Sequence, residues 1–135
     1  LFPDHTIQHA GVVLVLEDDY PTLSALHMPY KVAADDPLAN LRREVSVVTA
    51  ASVLMRGAAF DEVGGFDEGY WNGYEDVDIC LSMRNRGWRI LYEPDSVLIH
   101  HESASGGEQW ICFPRSTMTT RRVRASSRSP SEPVV

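Results

Sequence analysis

Residues 63–86, VGGFDEGYWNGYEDVDICLSMRNR, constrain this chain more than any other stretch. The pair Gly64-Gly65 permits backbone angles closed to other residues. Asp67 and Glu68 follow, then Tyr70, Trp71 and Tyr74, then Glu75, Asp76 and Asp78. Over residues 76–86 the spacing predicts a helix with Val77, Cys80, Leu81 and Arg84 on one face and Ile79 and Met83 beside them. Asn85 and Arg86 end it, and Gly87 suits the left-handed cap. The chain must therefore hold a glycine-rich, acidic loop at the mouth of an amphipathic helix. Acids there complement the helix dipole, and Asn72 with Glu75 can form a capping box. That accounts for one or two of the acids, but not for Asp67 and Glu68 beside Tyr70, Trp71 and Tyr74. Carboxylates next to aromatic rings suit a sugar, whose apolar face a ring covers and whose hydroxyls an acid accepts. One such acid can act as general base on a hydroxyl.

The flanking segments read as scaffold. Residues 7–16, IQHAGVVLVL, predict a buried strand. Glu17, Asp18 and Asp19 follow, either as a metal and phosphate site or as a solvated turn closed by Pro21. Residues 20–40 carry Pro21, Pro29 and Pro37 and read as a long irregular connection. Residues 44–55 are mixed, with a strand-like start, a Thr49-Ala50-Ala51 break and an extended or helical remainder. The small residues suit either a cleft wall or close packing of two elements. A short helical turn covers 58–63, and Phe66 plugs the loop into the core. Strands are expected at 88–92 and 97–99, the second ending at His100-His101-Glu102. Alternation puts those two imidazoles on opposite faces. One of them with the acid can serve a metal site, or both can be solvated. Ser103 and Ser105 have no base at a recognisable spacing. Strands alternating with helices make an α/β layer.

Charge divides the chain. Residues 1–108 carry 7 Lys and Arg against 18 Asp and Glu, whereas residues 109–135 carry 5 Arg against Glu132. The acidic body argues against a nucleic-acid partner, since phosphates would be repelled. We expect one domain over residues 1–108 and a disordered basic tail over 109–135, rich in Ser, Thr and Arg. Such a tail can touch anionic lipid. Cys80 and Cys112 fit a reducing compartment, with Cys80 a small core residue. No apolar run approaches the ~20 residues of a membrane helix, and the opening LFPDHTIQHA is not a signal peptide. The chain also lacks a starting Met.

Several spaced motifs bear a joint resemblance. They are Val48-Thr49-Ala50-Ala51, Val63-Gly64-Gly65-Phe66-Asp67-Glu68, Gly73-Tyr74-Glu75-Asp76-Val77-Asp78 with Ile79-Cys80-Leu81, Gly87-Trp88-Arg89-Ile90, and His100-His101-Glu102-Ser103-Ala104-Ser105. Over roughly residues 7–107 this pattern resembles the second half of a family-two glycosyltransferase of the GT-A fold. The lead-in Ile7-Gln8-His9-Ala10-Gly11 is similar to a rhamnosyltransferase-like branch.

The resemblance implies an incomplete GT-A α/β fold with a mixed sheet: the C-terminal, acceptor-side half. It implies inverting transfer of a sugar from a nucleotide-sugar donor to a glycan or lipid-linked acceptor, in the cytoplasm and near the membrane. Asp76 would be the general base and Glu75 would bind the acceptor. Thr49, Asp67, Trp71 and Tyr74 would line the acceptor cleft. His100 would ligate a divalent metal, Mn or Mg, that offsets diphosphate charge, or contact the diphosphate itself. The family's nucleotide-binding strands and Asp-x-Asp motif precede the part seen here, and Glu17-Asp18-Asp19 is out of place for that motif. Gly106-Gly107 also stands where the branch has a charged residue. The chain alone should therefore transfer poorly. A non-catalytic carbohydrate-binding or scaffolding domain of the same fold is the alternative.

Overall fold

The computed structural model describes residues 1–16, 23–70 and 73–101. Two antiparallel ladders and two helices make up the body. Strand β1 (Val12–Leu16) pairs with β2 (Leu23–His27), with Val12 opposite His27 and Leu16 opposite Leu23. Strand β3 (Arg43–Val45) pairs with β4 (Ile90–Tyr92), with Val45 opposite Ile90. Between them in the chain lie helix α1 (Gly57–Val63) and helix α2 (Glu75–Asn85). One bridge, Val12 to Val47, joins the two ladders, and the Val12 amide donates to the Val47 carbonyl at 3.1 Å.

Several expectations are corrected here. The mixed sheet is replaced, among the described residues, by two separate antiparallel pairs. The valine-rich run is a strand, but not a buried one: Val12 is covered, whereas Val13 is 48% and Leu16 75% exposed. A two-stranded ribbon covers little of its own surface. The supposed irregular connection contains β2, because an antiparallel partner supplies the hydrogen bonds that local sequence does not advertise. Phe66 stays 38% exposed and meets Phe60 edge-on, with ring centroids 5.7 Å apart, rather than plugging the core. Residues 97–99 form no strand. They run beside the N-terminus, where the Leu1 ammonium donates to the Leu98 carbonyl at 2.8 Å and the His100 amide donates to the Leu1 carbonyl at 2.9 Å.

The core sits between α2 and the ladders. Val12, Val47, Ala59, Val77, Ile79, Cys80, Met83 and Ile90 are its buried members. Cys80, read as a core residue, is 2% exposed, and burial raises its thiol pKa above the usual value. A smaller cluster of Ile7, Ala10 and Ala39 lies under Tyr92 and Val32. Helix α2 ends as expected: Gly87 takes φ +90, and the Trp88 amide donates to the Met83 carbonyl at 3.2 Å. Helix α1 ends at Gly64, φ +85. The indole of Trp88 donates to Glu62 at 2.8 Å, tying the ends of the two helices. No helix among the described residues is long and apolar enough to cross a membrane. The acidic triplet 17–19, Trp71, Asn72 and everything after His101, including the basic tail, lie outside the described residues.

Candidate functional site

The site is built where residues 47–51 pass the start of α2. Gly73 (φ +89) and Tyr74 (φ +69) are both left-handed, and the helix begins at once after them. Tyr74 is the N-cap residue, and its carbonyl accepts the Asp78 amide at 2.9 Å. The expected capping box needs Asn72, which lies outside the described residues. A left-handed tyrosine costs on the order of 1 kcal/mol. The turn it makes leads at once into Glu75 and Asp76, and Asp76 meets the 47–51 segment at Ala50.

Asp76 is held from two directions. Its Oδ1 accepts the Val77 amide at 2.8 Å and its Oδ2 accepts the Ala50 amide at 3.2 Å. The residue remains half-buried. Each carboxylate oxygen has two lone-pair sites, so two backbone donors leave capacity for a hydroxyl proton. Glu75 differs: its Oε2 is buried without a hydrogen-bond partner among the described residues. A buried acceptor left unmet is costly, and such groups mark places where a ligand or water is expected.

The neighbouring backbone is pinned residue by residue. The Val48 carbonyl accepts the Cys80 thiol at 3.7 Å, and the Thr49 amide donates to His9 Nε2 at 3.4 Å. Thr49 Oγ1 accepts the Ala51 amide at 3.4 Å, so this hydroxyl shapes the turn beside Asp76. Thr49 and Asp76 thus meet at one turn, with Glu75 next to Asp76 in the chain. Tyr74 joins them from the backbone side, but its ring packs partly against the core.

Asp67 stands apart in its own turn, where Oδ1 accepts the Gly69 amide at 2.8 Å. The Tyr70 hydroxyl lies near it: burial, then the charges of Asp78 and Asp67, raise the Tyr70 pKa. His100 is directed elsewhere, with Nδ1 2.9 Å from the Oε1 of buried Gln8. Among the described residues no three His, Cys, Asp or Glu assemble a cation site.

Sequence reasoning missed His9. It lies three residues before β1, and only the β1–β2 register brings His27 to it, with Nδ1 to Nδ1 3.0 Å. Burial, then His27, the N-terminus and Arg43, push its pKa down to about 4.

No family model matches the chain, and no solved structure matches it. Relatives of known sequence do. An uncharacterised protein, y4gI, of Sinorhizobium fredii is 38% identical over 109 residues, which is 80% of this chain and 12% of that protein. The O-antigen biosynthesis protein RfbC of Myxococcus xanthus is 36% identical over 111 residues, 78% of this chain and 8% of its own length. The N-acetylglucosaminyl-diphospho-decaprenol L-rhamnosyltransferase of Mycobacterium tuberculosis is 38% identical over 65 residues, 48% of this chain and 21% of its own length. The chain thus spans about a fifth or less of each of these relatives. Where the names of these relatives state a role, it is sugar transfer or O-antigen synthesis, which supports a glycosyltransferase family for the chain.

Proposed function

We propose that this chain is the acceptor-side part of a GT-A glycosyltransferase that moves a sugar from a nucleotide-sugar to a glycan or lipid-linked hydroxyl. One observation carries the reading: Asp76 is fixed by two main-chain amides beside Glu75, whose buried Oε2 has no partner. Asp76 takes the proton of the acceptor hydroxyl as its oxygen bonds to the sugar carbon, and the nucleoside diphosphate leaves from the opposite face with inversion. Glu75 Oε2 accepts a second hydroxyl of the acceptor and so orients it. The Thr49-Ala50-Ala51 turn forms a wall beside Asp76. Asp67, with Trp71 beyond the described residues, extends the sugar-binding surface.

The nucleotide and its divalent cation are assigned mainly to parts of the enzyme other than these residues. His100, its Nδ1 held by Gln8, would contribute Nε2 to that cation's ligands, the rest coming from those other parts. A lipid-linked acceptor would bring the complete enzyme to the cytoplasmic face of a membrane.

The decisive experiment is Asp76→Asn in the complete enzyme that carries this segment. Loss of transfer by about 10²–10⁴-fold with the fold retained is expected; unchanged turnover removes Asp76 from the role. A second reading, a glycan-binding domain without catalysis, is favoured by the same two amide bonds, since an acid can be so held for structure alone. Glycan affinity in the absence of nucleotide, unaltered by Asp76→Asn, would select it.

A further inference from the structure

We propose that His9 is a positioning residue for the candidate site: by accepting the Thr49 amide it fixes the turn whose next amide, Ala50, grips Asp76. The inference rests on the reading of Asp76 as the base. The ring geometry is its starting point. His9 Nε2 faces a backbone N–H at 3.4 Å, so that nitrogen carries its lone pair. Its Nδ1 faces the Nδ1 of His27 at 3.0 Å, the two rings meeting edge to face at 5.2 Å. Two facing nitrogens at this distance share one proton. His9 is then the Nδ1–H tautomer and donates to an unprotonated Nδ1 of His27.

The surroundings hold that state. Arg43 of β3 and the Leu1 ammonium bring positive charge to the ring, His27 of β2 adds a second imidazole, and the Tyr92 ring of β4 lies edge-on at 6.4 Å. No carboxylate figures among the groups acting on His9, and burial adds to their effect. An imidazolium is therefore disfavoured, and so is a cation bound between the two rings.

Position gives the bond its consequence. Between β3 and the site, the 47–51 segment is held on its α2 side by Cys80 at Val48 and by Asp76 at Ala50. On the other side it is held by Val12 at Val47 and by His9 at Thr49. Without the His9 acceptor the turn is secured on that side two residues farther from Ala50. His9 thus links the N-terminal segment to the acid pair without touching the acids.

The test is made on this chain, labelled with ¹⁵N, at pH 7. Long-range ring correlations should show His9 protonated at Nδ1 and bare at Nε2. His9→Leu should speed hydrogen exchange of the Thr49 and Ala50 amides by about tenfold while the Ile79 amide of α2 is unchanged. His9→Gln, whose Oε1 can take the place of Nε2, should restore slow exchange. A ring protonated at Nε2 overturns the proposal, as does wild-type exchange in His9→Leu. If His9→Leu does not fold, the wild-type tautomer decides alone. None of these readouts involves sugar transfer, so they fail separately from the Asp76→Asn assay.

Discussion

The Ala50 amide donates to Oδ2 of Asp76 at 3.2 Å, joining positions 26 residues apart. This bond and the one from Val77 share the carboxylate, one on each oxygen. Asparagine keeps one acceptor oxygen and turns the other into a donor facing an amide. Asp76→Asn should therefore lower the stability of the chain by about 1–2 kcal/mol, and Asp76→Ala by somewhat more. Urea unfolding followed by tryptophan fluorescence measures both. A stability equal to wild type in Asp76→Ala would mean that the two bonds contribute nothing.

Acid should weaken the fold through His9. Its pKa in the folded state lies at about 4, below the ordinary 6.5. The unfolded chain therefore binds this proton first, and stability falls as pH drops from about 6.5 to about 4, levelling off below that. The full effect is about 3 kcal/mol. His9→Gln should flatten this part of the profile, and a slope that persists in the variant would assign it to another group.

Gly11 should tolerate no side chain. Its φ is +120, and a Cβ there would come within 2.9 Å of Val45 Cγ1. Both strain and contact act against Gly11→Ala, with an expected loss of about 2 kcal/mol. The loss should appear as a lower thermal midpoint, and an unchanged midpoint contradicts the geometry.

The acid pair depends on how α2 is seated. Ile79 is 1% exposed and lies one turn beyond Glu75 in the helix core face. Ile79→Ala should cost about 2–5 kcal/mol and leave a cavity under the helix. In the complete enzyme, sugar transfer should fall in step with the folded fraction. Transfer lost with the folded fraction intact would show that packing under α2 tunes the site more finely than stability reveals.

Much of the local structure was legible. The helix over 76–86 appears as Glu75–Asn85, the turn at 58–63 as Gly57–Val63, and Gly64, Gly65 and Gly87 all take positive φ. These features depend on neighbours three or four residues away, so their signal lies within one window of sequence. Thr49, Glu75 and Asp76 were grouped through the family resemblance rather than through spacing. His100 was read from the same resemblance as a metal ligand, and its Nδ1 meets Gln8.

What failed was pairing. Strand β2 sits where prolines argued for a loop, since a strand across the hairpin completes its ladder. The apolar run of β1 pointed to burial, yet burial depends on what covers a face, and a lone hairpin covers little.

The amino-acid order by itself determined the acidic loop, the two helices and the left-handed glycines that end them, because each rests on short-range sterics and hydrogen bonding. Tertiary structure alone decided that Ala50 would meet Asp76, that His9 would meet Thr49 and His27, and that Glu75 would keep a buried oxygen unmet. Those contacts close loops of 18 to 40 residues. Their partners are chosen by the packing of the two ladders on α2, which no single stretch of sequence encodes.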